Sequence, residues 1–161
     1  MKRPWFKCEP ADEEFLDRAP MVLRDAIDVP RSAAYVWADL TGDRALHWCR
    51  IINDVSWTSG KPYGVGTTRT VKSLAGTNVL HERFFRWEEG RRHSFYVEEA
   101  SVPLFRRFAE DYLVEPTSAD ACRFTWTIAS EPKRGARPGS PLNRMLLNTL
   151  FRDTRKHYGA A

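Results

Sequence analysis

The chain has 161 residues, 42% of them hydrophobic and 29% charged, with a formal net charge of +4. That length and balance suit one globular domain with a sizeable core, and the longest apolar runs fall far short of the ~20 residues that span a bilayer. No secretory apolar segment follows Met1-Lys-Arg3, so a cytoplasmic location is expected, and the small charge excess is dispersed in pairs such as Arg91-Arg92 and Arg106-Arg107 beside Glu88, Glu89 and Glu110, which argues against a specific nucleic-acid site.

Residues 1–20 read as an N-terminal extension, because Pro4, Pro10, Pro20 and the acidic Asp12–Glu14 stretch break any sustained periodicity. Trp5, Phe6, Phe15 and Leu16 still offer apolar surface that can dock. Residues 21–161 are expected to form a single domain. Leu23, Asp25, Ile27 and Val29 alternate with Val22, Arg24, Ala26 and Asp28, which predicts a first strand over Val22–Val29. Pro30 and Ser32 then start and cap a short helix through Leu40, and Thr41 or Asp43 caps a second one through Trp48.

A brief strand is predicted at Val55–Thr58, followed by the turn-rich Ser59–Gly66. Thr67–Leu74, Val79–Trp87, His93–Ala100, Phe105–Glu115 and Arg123–Ala129 follow as strands whose short separators force antiparallel neighbours. The linker Glu131–Pro141 cannot continue a strand. Beyond it Leu142, Met145, Leu146, Thr149 and Leu150 recur at helical spacing, which predicts a final helix of about 18 residues with Arg144, Arg152, Arg155 and Lys156 on its wet side. The expected fold class is α+β, a curved antiparallel sheet of about six to seven strands gripping a C-terminal helix, with two short helices between its first and second strands.

Several stretches in this order carry a resemblance: Ile27-Asp-Val-Pro30, Val36-Trp37, Trp48, Trp57, Gly64-Val-Gly66-Thr67, Glu82-Arg-Phe-Phe-Arg-Trp87, Gly90-Arg-Arg92, Tyr112-Leu-Val-Glu-Pro116 and Arg123-Phe-Thr-Trp126. Across residues 21–158 the chain resembles the polyketide cyclase/dehydrase and lipid-transport family of the START-like, or SRPBCC, superfamily. The resemblance implies a helix-grip fold with a hydrophobic cavity between sheet and C-terminal helix. It does not imply one function, since such relatives include aromatase/cyclases, lipid carriers, hormone receptors and co-chaperones.

Period-two alternation assigns a cavity face. Arg69 and Val71 fall on it, as do Leu80, Glu82 and Phe84, then His93, Phe95 and Val97. Phe108, Glu110 and Tyr112 follow, then Phe124, Trp126 and Ile128, and the final helix adds Met145, Leu146 and Thr149. Charged groups on so apolar a face are costly unless paired, which leaves two readings. Arg69 and Glu82 form an ion pair across adjacent strands, with Tyr112 bonded to a neighbour; or these groups anchor a ligand, with Glu82 or His93 as general base and Arg69 or Tyr112 holding an oxyanion.

The preferred function is therefore binding of a small hydrophobic or aromatic molecule, lipid or polyketide-like, in a cavity expected to approach ~300 Å³. A cofactor-independent cyclase or dehydratase is one alternative, and a protein-interaction or dimerisation module is the other, the chain being a monomer or homodimer. Cys8, Cys49 and Cys122 have neither disulfide-framework nor zinc-ligand spacing, and no nucleotide, metal or serine-hydrolase motif occurs, so no cofactor and no metal are expected.

Overall fold

The structure, a computed structural model, describes residues 1–135 and 141–160, so the central part of the Glu131–Pro141 linker and the side chain of Leu142 lie outside the described residues. The elements run β1 (Phe6–Lys7), α1 (Glu13–Arg18), β2 (Met21–Val29), α2 (Ala33–Thr41), β3 (Ile52–Trp57), β4 (Thr68–Ser73), β5 (Asn78–Glu88), β6 (Arg92–Ala100), β7 (Phe105–Ser118), β8 (Ala121–Pro132) and α3 (Pro141–Tyr158). The sheet order is β2-β8-β7-β6-β5-β4-β3, antiparallel throughout, with β1 added to β6. Hairpins lay β3 to β8 side by side, tight except for the loop 58–67 between β3 and β4, and the last strand closes against β2. The path from β2 to the far edge strand β3 runs through α2, so the sheet curls around one interior.

Local chemistry explains the helix starts. The Ser32 hydroxyl accepts from the Tyr35 amide at 3.1 Å at the head of α2, and the Asp12 carboxylate accepts from the Phe15 amide at 3.0 Å at the head of α1. The second short helix expected at residues 43–48 does not form. Single i to i+3 turns replace it, closed by the amides of Ala45, His47 and Cys49, and Leu46 sits at φ 60°, a left-handed angle that a helix cannot continue through. Leu46 is nevertheless buried, because the turn tips its side chain inward. β7 and β8 are also longer than predicted, since Pro116 stays within β7 opposite Cys122 and the ladder absorbs it with a bulge before Ser118.

The two faces of the sheet have different partners. Inward residues build the main core, including Phe84, Phe95, Tyr112, Val114, Phe124, Trp126 and Ile128, with Val36, Trp37 and Leu40 of α2 and Leu150, Phe151 and Tyr158 of α3. On the outer face Ala109 and Ala129 are direct cross-strand partners, and their small side chains let Phe15 and Leu16 of α1 lie close to the sheet.

Residues 1–20 are thus attached to the domain at several points. β6 pairs with β7 only as far as Tyr96 opposite Ala109, after which the strands part. Residues 6–9 fill that gap: Phe6 and Lys7 pair with Ala100 and Glu99, the Cys8 amide donates to Glu98 O, and the Glu9 amide donates to Arg106 O. Trp5 stacks on His81 with centroids 4.2 Å apart, and Arg3 donates to Gly76 O at 3.0 Å.

Candidate functional site

Cross-strand register brings the polar residues of the inner face together. Arg69 lies opposite Glu82, and its Nε donates to Glu82 Oε2 at 2.6 Å with both side chains almost wholly buried. Nη1 and Nη2 of Arg69 have no hydrogen-bond partner among the described residues. Aromatic faces surround the guanidinium instead, its carbon lying 4.4 Å from the Phe95 centroid, 5.1 Å from Phe84 and 5.4 Å from Trp57. Burial works against the Arg69 charge, but Glu82 and its neighbours more than offset it and hold its pKa above the usual value. Burial pushes the Glu82 carboxyl upward, and the contact with Arg69 pulls it only part of the way back.

One register step on, Glu110 faces Phe95 and Ile128, and Tyr112 faces Trp126. The Tyr112 hydroxyl and the Trp126 indole N–H both donate to the same oxygen, Glu110 Oε2, at 2.9 Å. Burial, reinforced by the nearby Glu82 charge, raises the Glu110 pKa to about 8. A carboxyl in that range holds its proton at neutral pH and can exchange it under mild conditions, the property a proton donor or acceptor needs.

These groups floor a cavity of ≈ 100 Å³ between the sheet and α3. Of the sequence-assigned residues, Arg69, Val71, Leu80, Glu82, Phe95, Phe108, Glu110, Tyr112, Trp126 and Leu146 line it. Phe84, Val97, Phe124 and Ile128 are buried in the core without lining it. The space is about a third of the size expected from the sequence, because Phe84, Phe124 and Ile128 pack against neighbouring rings and aliphatic side chains instead of standing back from them.

The assignment for α3 needs correcting. Met145 is 58% exposed, and Thr149 turns its hydroxyl onto Leu146 O on the outer side. The inner stripe runs through Asn143, Leu146, Leu147 and Leu150 and continues to Phe151, Thr154 and Tyr158, rotated one position from the expected set. Arg155 is likewise not a free surface cation, since its Nε donates to Asp25 Oδ2 of β2 at 2.9 Å. The C-terminal half of α3 is held by further polar contacts: the Trp48 indole N–H donates to Thr154 Oγ1 at 2.9 Å, the Arg50 amide donates to Asp153 at 3.0 Å, and the Tyr158 hydroxyl donates to Asp39 at 2.9 Å. The other half covers the cavity with leucines.

His93 does not reach the cavity. It is fully buried between Trp37, Phe84, Trp87 and Tyr112, with ring centroids 4.8 to 5.3 Å away, and neither ring nitrogen has a hydrogen-bond partner among the described residues. Burial, aided by the Arg69 charge, lowers its pKa well below the ordinary value. Above pH ~6.5 this has no effect, because the ring is neutral folded or unfolded. Below that, the unfolded chain takes up a proton the folded one refuses, at about 1.4 kcal/mol per pH unit. Comparing His93→Phe with wild type by urea denaturation between pH 7 and 5 should therefore show the variant losing about 2 kcal/mol less on acidification. Parallel pH dependence would mean that His93 charges within the fold.

Side chains that alternation missed form the cavity rim. Leu46 comes from the irregular turn, Ile51 and Ile52 from the entrance to β3, Leu74 from the β4–β5 turn, Leu104 from the β6–β7 connection and Phe105 from the first position of β7. Leu147 carried a usable signal, since the aromatic residues Phe151 and Tyr158 fix the helix phase that includes it. No helix of the described residues is long and apolar enough to cross a membrane, and no His, Cys, Asp and Glu cluster among them is placed to hold a metal.

Comparisons with known proteins agree with this architecture. The family model described as polyketide cyclase / dehydrase and lipid transport matches residues 21–156. An uncharacterized protein of Mycobacterium tuberculosis is 35% identical over 148 residues, covering 91% of this chain and 87% of the relative, and an uncharacterized Mycobacterium bovis protein matches equally. Among solved structures, a START superfamily protein from Mycobacterium smegmatis superposes with a TM-score of 0.66 at 12% identity, covering 86% of this chain and 97% of that one. The major latex-like protein 151 of Panax ginseng superposes at 0.61 with 20% identity over 86% and 97% of the two chains. At those identities the structural likeness speaks for the fold, while the family match rests on the sequence itself. With its curled sheet, its gripped C-terminal helix and a family match over nearly all of that unit, the chain belongs to the polyketide cyclase/dehydrase and lipid-transport family.

Proposed function

We propose that this protein binds a small, largely apolar molecule in the chamber between the sheet and α3, with the polar end of the molecule on the Arg69–Glu82–Glu110 floor. The observation that supports this reading is the contrast inside one half-open cavity, aliphatic and aromatic walls over buried ionisable groups. Such a contrast is how a pocket fixes orientation while most of the affinity comes from burial. The volume sets the size class. At ≈ 100 Å³ the chamber is nearer the ~150 Å³ cavity that accepts benzene than the ~300 to 1,000 Å³ of sites for drug-sized ligands, so a single ring or a short branched chain fits it.

Filling the chamber tests the reading. Leu147 lines it from α3, and Leu147→Trp is expected to occupy the space at a cost of about 1–3 kcal/mol in stability while the fold persists. Toluene or indole titrated against methyl-labelled protein should shift the resonances of Leu80, Leu146 and Leu150 in the wild type. In Leu147→Trp the shifts should be lost or the affinity should fall by about tenfold or more, and Met145→Ala, on the exposed side, should behave as wild type. Undiminished binding in Leu147→Trp would place the ligand elsewhere.

A further inference from the structure

The floor of the chamber specifies more than apolarity. Arg69 is the only cation lining the cavity among the described residues, and it uses a single donor, Nε, on Glu82. Its two outer nitrogens are buried and unmet among the described residues. Guanidinium N–H groups lie in the plane of the group, so the surrounding rings of Phe95, Phe84 and Trp57 stabilise the charge without supplying in-plane acceptors. Buried charged donors left unmet cost free energy that a suitable acceptor recovers, and Nη1 and Nη2 together form a fork matched to the two oxygens of a carboxylate.

Resting on the binding reading above, we propose that the natural ligand class is a small aromatic carboxylic acid, bound as its carboxylate across Nη1 and Nη2 of Arg69 with its ring among the leucines of the chamber.

The rest of the site fits this assignment. Leu80, Leu147 and Leu150 offer a ring only hydrocarbon, and Trp126 adds an aromatic wall. Glu82 is already committed to Arg69. Glu110, kept in its acid form at neutral pH by burial, brings a hydroxyl and no second negative charge, and the two bonds from Tyr112 and Trp126 both fall on its Oε2. A neutral ring of the same shape gains the walls but leaves the charged fork poorly matched.

The test is calorimetric and NMR titration of benzoate against benzamide, its neutral isostere, at pH 7. Benzoate is expected to bind about tenfold tighter or better, the increment of a charge-assisted hydrogen-bonded pair. Removing Arg69 alone strands Glu82, so the informative variant is the charge-neutral double substitution Arg69→Gln with Glu82→Gln. It should lose the preference for benzoate over benzamide. Arg69→Lys, which keeps the charge and gives up the fork, should reduce the preference to about threefold. Equal affinity of wild type for benzoate and benzamide, or a preference that survives the double substitution, overturns the carboxylate assignment and leaves the apolar-binding reading standing. Failure of both rings to bind the wild type overturns the binding reading and the assignment with it.

Discussion

Glu110→Gln is expected to become progressively more stable than the wild type as pH rises. Below about 4.5 the Glu110 carboxyl is protonated in both the folded and the unfolded chain, and the two proteins respond alike. Between 4.5 and about 8 the unfolded chain releases its proton while the folded one keeps it, so the wild type loses stability. At ~1.4 kcal/mol per pH unit the gap across this window reaches about 4–5 kcal/mol, a large part of the ~5–15 kcal/mol that holds a domain together. Above about 8 the folded carboxyl ionises as well and the gap stops growing. Glutamine preserves the local bonding, since its carbonyl can accept from both the Tyr112 hydroxyl and the Trp126 indole. The other groups that face this carboxyl, Arg69, Glu82, Tyr112 and the buried Cys49 thiol, are common to both proteins and cancel in the difference. Urea denaturation from pH 4.5 to 8.5 measures it. A constant difference would mean that the folded protein carries Glu110 ionised.

The second large effect belongs to the ion pair. Arg69→Gln leaves the Glu82 carboxylate buried without its cation, and the expected cost is about 3–5 kcal/mol. Adding Glu82→Gln should return most of that loss, because two amides of similar shape need far less desolvation than an ion pair and can bond to each other. The coupling energy from the four-protein denaturation cycle should therefore be several times the ~0.2–1 kcal/mol typical of exposed pairs. A single-substitution loss below about 1 kcal/mol would show that water or a rearranged neighbour satisfies Glu82, and that the pair is not closed off as the structure has it.

The extent to which these sites were legible follows from where each residue sits. Period two fixes a face without knowledge of the turns, so the placing of Arg69, Glu82, Tyr112 and Trp126 on one face was readable from sequence, and the short β4–β5 connection made the Arg69–Glu82 pair readable too. The same rule fails at a bulge. The register of β5 shifts between Phe84 and Arg86, which turns Trp87 inward against His93 and makes the aromatic wall that isolates the histidine. In α3 the period was right and the phase was wrong, because Met145 and Thr149 satisfy helical spacing as well as Leu147 and Leu150 do. The rim residues Leu46, Leu74 and Leu104 lie in turns and connections, where no period exists, and Leu46 depends on a backbone angle that sequence does not announce for leucine. Glu110 was on the assigned face, but its raised pKa comes from desolvation and from donors on two strands, neither of which is written in its neighbours along the chain.

The segment that fills the gap between β6 and β7 has a consequence for the order of assembly. Every other seam in the sheet's core joins strands adjacent in sequence, apart from the closure of β2 on β8, whereas this one joins Cys8 and Glu9 to Phe105 and Arg106, 97 positions away. Contacts that close so long a loop carry a large entropic cost, and a two-residue strand, unlike the nine-residue β2 that closes on β8, returns little for it until its partners are in place. The first residues of the chain are therefore among the last to find their seats. A short strand held at that distance is also the seam from which amide exchange should begin, ahead of the long β7–β8 ladder, so the wall of the chamber has its weakest stitch beside Phe105.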